Sequence, residues 1–90
     1  MITVTGHLIA ATEAEADLVR RYLPDHIRLS RAEPGCLTFN VDPTDDPLVW
    51  RLDETFADHA AFDAHQARTR ASPWFTATAG LKRDFHASGA

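Results

Sequence analysis

The chain has little of what marks a specialised architecture. It holds one cysteine, Cys36, in 90 residues. An intrachain disulfide is impossible, and a cysteine-rich metal framework is excluded. No run of residues approaches the length of a membrane span, and no charged leader with an apolar stretch behind it opens the sequence. A cytoplasmic location and no membrane partner are the simple expectation. Positive charge is also scarce, with 9 Lys+Arg against 13 Asp+Glu and a formal charge of −4. The basic residues are scattered, and only Arg20-Arg21 and Lys82-Arg83 are adjacent. That argues against nucleic acid, which favours clustered basic charge. His59 and Asp63, four apart, have a metal-ligand spacing, but two residues on an exposed helix do not make a site. No metal is expected. The length, residues 1–90, fits one domain with one small core, and burial by a partner subunit would help it.

What is present falls into clear segments. Ile2 to Ala10 alternates, with Ile2, Val4, Gly6, Leu8 and Ala10 on one side, and reads as a strand with that side toward a core. Gly6 leaves a hole on the core side or lets another group approach closely. Thr12 and Glu15 form a capping box. The helix behind it carries Leu18, Val19, Tyr22, Leu23, His26, Ile27 and Ser30 at helical spacing, and Pro24 predicts a kink. His26 reads as either surface or an inward group bonded to backbone. Glu33-Pro34-Gly35 ends the helix. Cys36 to Val41 is a second strand, with Leu37, Phe39 and Val41 on one face. Residues 42–47 carry turn chemistry and join it to a third strand, Leu48 to Phe56, as a hairpin.

Asp58 caps a second helix reaching about Thr69, and Ser72-Pro73 opens a third, short one that Gly80 ends. Leu81 to Ala87 is a fourth strand, and Ser88-Gly89-Ala90 a loose tail. The order is β-α-β-β-α-β with one extra helical turn. It predicts an α+β, ferredoxin-like fold with a four-stranded antiparallel sheet. Helices cover one face. The other carries Thr3, Thr5, His7, Ile9, Cys36, Thr38, Val49 and Thr55, and a second copy of the chain is expected to cover it by a two-fold.

The third strand and second helix hold the most telling pattern. Leu48, Trp50, Leu52, Glu54 and Phe56 share a strand face, so Glu54 sits among large apolar groups. Phe62 and His65, three apart, share a helix face. A carboxyl group and an imidazole then face each other across an apolar gap. That suits a proton-handling pocket, and equally a buried structural hydrogen bond.

Glu33-Pro34-Gly35-Cys36, an aromatic-bearing strand, Glu54-Thr55-Phe56, Ala61-Phe62-Asp63-Ala64-His65 and Ser72-Pro73-Trp74-Phe75 together resemble the antibiotic biosynthesis monooxygenase family. The resemblance covers about residues 2 to 87 and is strongest to its small quinol-monooxygenase-like members. It implies a homodimer whose two sheets form an α+β barrel, with a pocket between sheet and helices in each subunit. It also implies oxidation of a phenol or hydroquinone by O₂ with no cofactor, neither metal nor flavin. The haem-degrading branch is disfavoured, because the sites matching its Asn, Trp and haem-binding His are Gly6 or His7, His65, and Thr78 or Ala79.

Oxygenation without a cofactor needs a deprotonated, electron-rich ring held away from water. His65 suits the proton step, since its ordinary pKa lies near working pH. Glu54 is expected to orient the ring and stabilise the imidazolium. Trp50, Phe39, Trp74 and Phe75 are expected to wall the substrate, and Gly6 to make room for it. Arg68 and Arg70 read as solvated surface, with steering of an acidic substrate as the alternative. Two other functions stay open: a dimeric module that binds a small apolar ligand without chemistry, and an isomerase or lyase on the same barrel.

Overall fold

The computed structural model describes residues 1–89. Its elements are β1 (Ile2–Ile9), α1 (Glu13–Arg31), β2 (Cys36–Pro43), β3 (Val49–Phe56), α2 (His59–Arg70), α3 (Pro73–Ala77) and β4 (Lys82–Ser88). The strands form one antiparallel sheet in the order β2-β3-β1-β4. This is the ferredoxin-like arrangement, with the helices on one face.

Local chemistry sets the helix boundaries. Thr12 Oγ1 accepts from the Glu15 amide at 3.2 Å, while Glu15 Oε1 reaches back to the Ala11 amide at 2.7 Å. Two amides that the helix would leave unpaired are thereby satisfied. Asp58 caps α2 through the Ala61 amide at 2.8 Å, and Ser72 caps α3 through Phe75 at 3.2 Å. Helix α1 runs unbroken through Pro24 for 19 residues. Its inward row is Ala16, Val19, Leu23, His26 and Ser30, a spacing of three to four that places all five on one stripe.

The core lies between this stripe and the even positions of β1 and β3. Ile2, Val4 and Leu8 meet Trp50, Leu52 and Phe56 there. The second strand departs from simple alternation. A register shift between Cys36 and Thr38 leaves Leu37 57% exposed, whereas Phe39 and Val41 are buried. A bulge adds one residue and rotates the side chains before it off the core face. The chain end is more ordered than its composition suggests. Ser88 belongs to β4 and pairs with Thr3, and only Ala90 of the expected tail lies outside the described residues. No helix among the described residues is long and apolar enough to cross a membrane.

Candidate functional site

Between the sheet and the helices lies a cavity of about 510 Å³. Phe39, Glu54, His65, Trp74 and Phe75 line it, together with His26. β3 supplies Glu54 on its core-facing row, and α2 supplies His65, the one buried residue of that helix. Trp74 is buried, with α3 turning its ring inward against the ring of His26.

Two expected wall residues lie elsewhere. Trp50 is buried in the core at the far end of β3, opposite Leu8 and Pro43, and takes no part in the cavity lining. Arg20 covers its ring at 5.7 Å. Gly6 also makes no room for a ligand. A Cβ there would stand 2.0 Å from the Asp84 carbonyl oxygen, and its φ of +147° is one that side chains rarely adopt. The glycine therefore serves the close approach of β1 to β4.

The polar centre of the site is His65. It is 4% exposed, with the rings of Phe56 and Phe39 at 4.9 and 5.4 Å. Its direct partner is not Glu54. His65 Nδ1 lies 2.7 Å from Glu33 Oε1, whereas Nε2 lies 3.9 Å from Glu54 Oε1, beyond hydrogen-bond reach. Glu33 in turn forms an ion pair with Arg68, whose Nη2 donates to Ser30 Oγ at 2.8 Å. Arg68 is thus a structural member of this network rather than free surface. A carboxylate paired with a guanidinium is an acceptor only. It therefore assigns the proton to Nδ1 of His65 and leaves Nε2 as the basic lone pair. That nitrogen is the one closer to Glu54, with the Thr69 hydroxyl at 3.4 Å.

Glu33 is the residue the sequence reading missed. Its helix-stop context, Glu-Pro-Gly, explains the position without invoking its side chain. The signal was present only as part of the family-like motif. The contact joins residues 32 apart, a separation that spacing rules do not reach.

Burial then separates the two ionisable groups. Desolvation is the largest influence on both, and it penalises the charged form. It pushes the Glu54 carboxyl up to about 8, with the charges of Glu33 and Asp53 adding to the effect. It lowers the His65 pKa, against the hydrogen bond and charge of Glu33, which act to raise it. At neutral pH the pair is a carboxylic acid beside a neutral imidazole. A carboxyl held neutral by burial can donate a hydrogen bond as well as accept one. His26 is buried and its pKa is driven down to about 3, chiefly by desolvation and then by the charges of Arg68, His65 and Arg83. It is inward-facing, but Nδ1 lacks the backbone bond that an inward position would call for. Arg83 borders the cavity and is anchored on Thr78 through the carbonyl at 2.8 Å and the hydroxyl at 2.7 Å. Among the described residues no group of three or more His, Cys, Asp or Glu is placed to hold a metal ion.

Fold and cavity together define a class: a small ferredoxin-like α+β protein with an aromatic-walled cavity and a neutral base inside it. The chain belongs to the antibiotic biosynthesis monooxygenase family, which it matches over residues 1–77. By family it is a monooxygenase. Solved structures share the fold. SnoaB of Streptomyces nogalater, a cofactor-independent oxygenase, superposes with a TM-score of 0.79 at 18% identity, covering 99% of this chain and 91% of that one. A Deinococcus radiodurans protein assigned by name to the same family gives 0.74 at 23% identity, covering 100% and 92%. Rv0793 of Mycobacterium tuberculosis gives 0.68 at 22% identity, covering 97% and 89%. No curated protein matches the chain.

Proposed function

We propose that the chain is a cofactor-independent monooxygenase that oxidises a small phenol or hydroquinone with O₂. The observation that carries this reading is the imidazole of His65, held through Nδ1 by Glu33 at 2.7 Å and lining an aromatic-walled cavity that Glu54 shares. Phe39, Trp74 and Phe75 hold the ring, and the protonated Glu54 orients its oxygen by donating a hydrogen bond. His65 Nε2 takes the phenolic proton, and Glu33 stabilises the imidazolium through Nδ1–H. The phenolate passes one electron to O₂. The radical pair joins at a ring carbon, and the proton held on His65 completes a hydroperoxide. Loss of the proton on that carbon and cleavage of the O–O bond release water and a quinone. One oxygen atom enters the product and the other leaves as water. Four electrons pass from the ring to O₂.

The same reading includes a homodimer. The outer sheet face carries exposed Thr5 and half-buried Ile9, Val49 and Thr55, a mixture suited to a second copy of the chain. Glu54 and His65 are the catalytic pair of this proposal. Phe39, Trp74 and Phe75 are its substrate-binding residues.

Oxygen uptake with a panel of hydroquinones and anthrone-like phenols, with chelator present, is the direct test. Wild type should consume O₂, and His65→Ala should lower turnover by about two to four orders of magnitude, the range for a lost general base. No uptake with any panel member would sink the oxygenase reading. Uptake undiminished in His65→Ala would leave the activity standing and remove the base assignment.

A further inference from the structure

The start of β4 carries a charge that the fold leaves unmatched. Arg83 stands in register with buried Leu8 and lines the cavity. It is half-buried. Its Nη1 and Nη2 donate to the carbonyl and hydroxyl oxygens of Thr78 at 2.8 and 2.7 Å, and its Cζ lies 5.5 Å from the ring centroid of Phe75. Thr78 is fully buried and donates in turn to the Trp74 carbonyl at 2.7 Å. Neutral groups alone therefore fix the guanidinium in place. Arg20, Arg28 and Arg68 each have a carboxylate partner, whereas no carboxylate among the described residues pairs with Arg83. Burial works against its charge, yet arginine stays protonated in proteins. A charge drawn out of water is ordinarily paired.

The rest of the cavity wall does not supply the missing charge. Glu54 is the sole acid of the lining among the described residues, and burial keeps it neutral at neutral pH. The charge of Glu33 is taken up by His65 and Arg68. The lining adds a second cation, Arg70, which is exposed and likewise without an ion pair among the described residues. A mostly apolar cavity thus presents net positive charge. The sheet register says where. Glu54 pairs across from Val4 and Arg83 across from Leu8, which separates the two backbones by about 13 Å along the strands. Arg83 belongs to the end of the cavity away from Glu54. An anion held there sits on the part of a ligand remote from the oxygen that faces Glu54 and His65.

We infer that Arg83 is a specificity-determining residue for an anionic group, and that the cavity takes phenols bearing a carboxylate on the side remote from the hydroxyl. The inference rests on the proposed aromatic substrate and names its class. The guanidinium has more N–H donors than Thr78 occupies, and a carboxylate accepts them in charge-assisted bonds.

Binding under argon separates this selection from turnover. The probes are para-hydroxyphenylpropionate and its neutral amide, para-hydroxyphenylpropionamide, measured by titration calorimetry. Wild type should bind the carboxylate roughly tenfold to a hundredfold tighter than the amide, the range of a hydrogen bond to a charged group. Arg83→Gln should bring the two affinities within about threefold of each other. Arg70→Gln, at the exposed cation, should cost less of the preference than Arg83→Gln does. A preference that survives in folded Arg83→Gln overturns the inference. So does a larger loss in Arg70→Gln, or a wild type that binds neither probe or shows no preference. Should Arg83→Gln fail to fold, wild type labelled with ¹⁵N at arginine decides. The carboxylate should move the Arg83 Nε resonance several times further than the amide does, and equal movement overturns the inference. His65→Ala should keep the preference, and absence of O₂ uptake would leave it in place, so the oxygenase reading and the anion site fail separately.

Discussion

On the helix-covered face of the sheet, Glu54 and His65 lie buried beside Glu33. On the opposite face, His7, Asp53, Asp84 and His86 bring the same residue types into similar proximity. The nearest pair there is His86 with Asp84, at 3.6 Å, with side chains 79% and 56% exposed. His65 and Glu33 are 5% and 15% exposed and 2.7 Å apart. Water screens the outer pair, so its contribution is close to nothing. The inner pair is held in a low-dielectric setting where charge, tautomer and geometry constrain one another. The chemistry therefore follows from burial and not from residue type.

The largest expected effect comes from opening the inner pair. Glu33→Gln keeps the shape and removes the charge behind Nδ1. Turnover should fall on the order of a hundredfold, as for other orienting carboxylates. Because Glu33 raises the His65 pKa, the acid limb of the pH–rate profile should move to lower pH in the variant. An unchanged rate together with an unmoved limb would reduce the pair to a structural contact.

Next in size is a pH effect that only the buried face should show. The Glu54 carboxyl is raised from 4.5 to about 8 in the fold. Between those values the folded state holds a proton that the unfolded chain has released. Stability should therefore fall as pH rises through this window. Buried His26 and His65 have lowered values, so the unfolded state binds the extra protons below about pH 6.5 and stability rises with pH there. The Glu54 effect is thus isolated from about pH 6.5 to 8, where it amounts to about 2 kcal/mol. Chemical denaturation across this range should show the decline in wild type and a flat response in Glu54→Gln. Parallel slopes in the two proteins would mean that Glu54 is ionised in the fold.

The smallest effect on the protomer belongs to the outer face. Thr5→Arg places a bulky charge on the exposed side of β1, between Asp53 and His86 in register. Stability of the isolated protomer should change by less than about 0.5 kcal/mol. Sedimentation should nevertheless show a dimeric wild type and a more dissociated variant. A monomeric wild type at micromolar concentration would end the dimer proposal and leave the outer face a solvated surface.

Much of the fold was legible because it rests on short-range chemistry. Caps at Thr12, Asp58 and Ser72 satisfy amides within three or four residues, and alternation assigned Ile2, Val4, Leu8, Leu52 and Glu54 to the buried face. Leu37 was misplaced because a bulge costs nothing in composition and is settled by the pairing of β2 with β3. Trp50 was misplaced because a strand face is longer than a cavity. Alternation assigns a residue to a side of the sheet and does not say how far along it the cavity extends.

The order of elements, the buried face of β1 and β3, and the burial of one carboxyl and one imidazole on facing elements are legible in the chain alone. Local hydrogen bonds and hydrophobic periodicity act over a few residues, so they are written in the chain directly. Only the tertiary structure decided that Glu33 and not Glu54 holds His65, that His26 stacks on Trp74 with Nδ1 unpaired, and that Gly6 serves strand packing. Each of these depends on distances between segments far apart in sequence, and on the desolvation that their packing imposes.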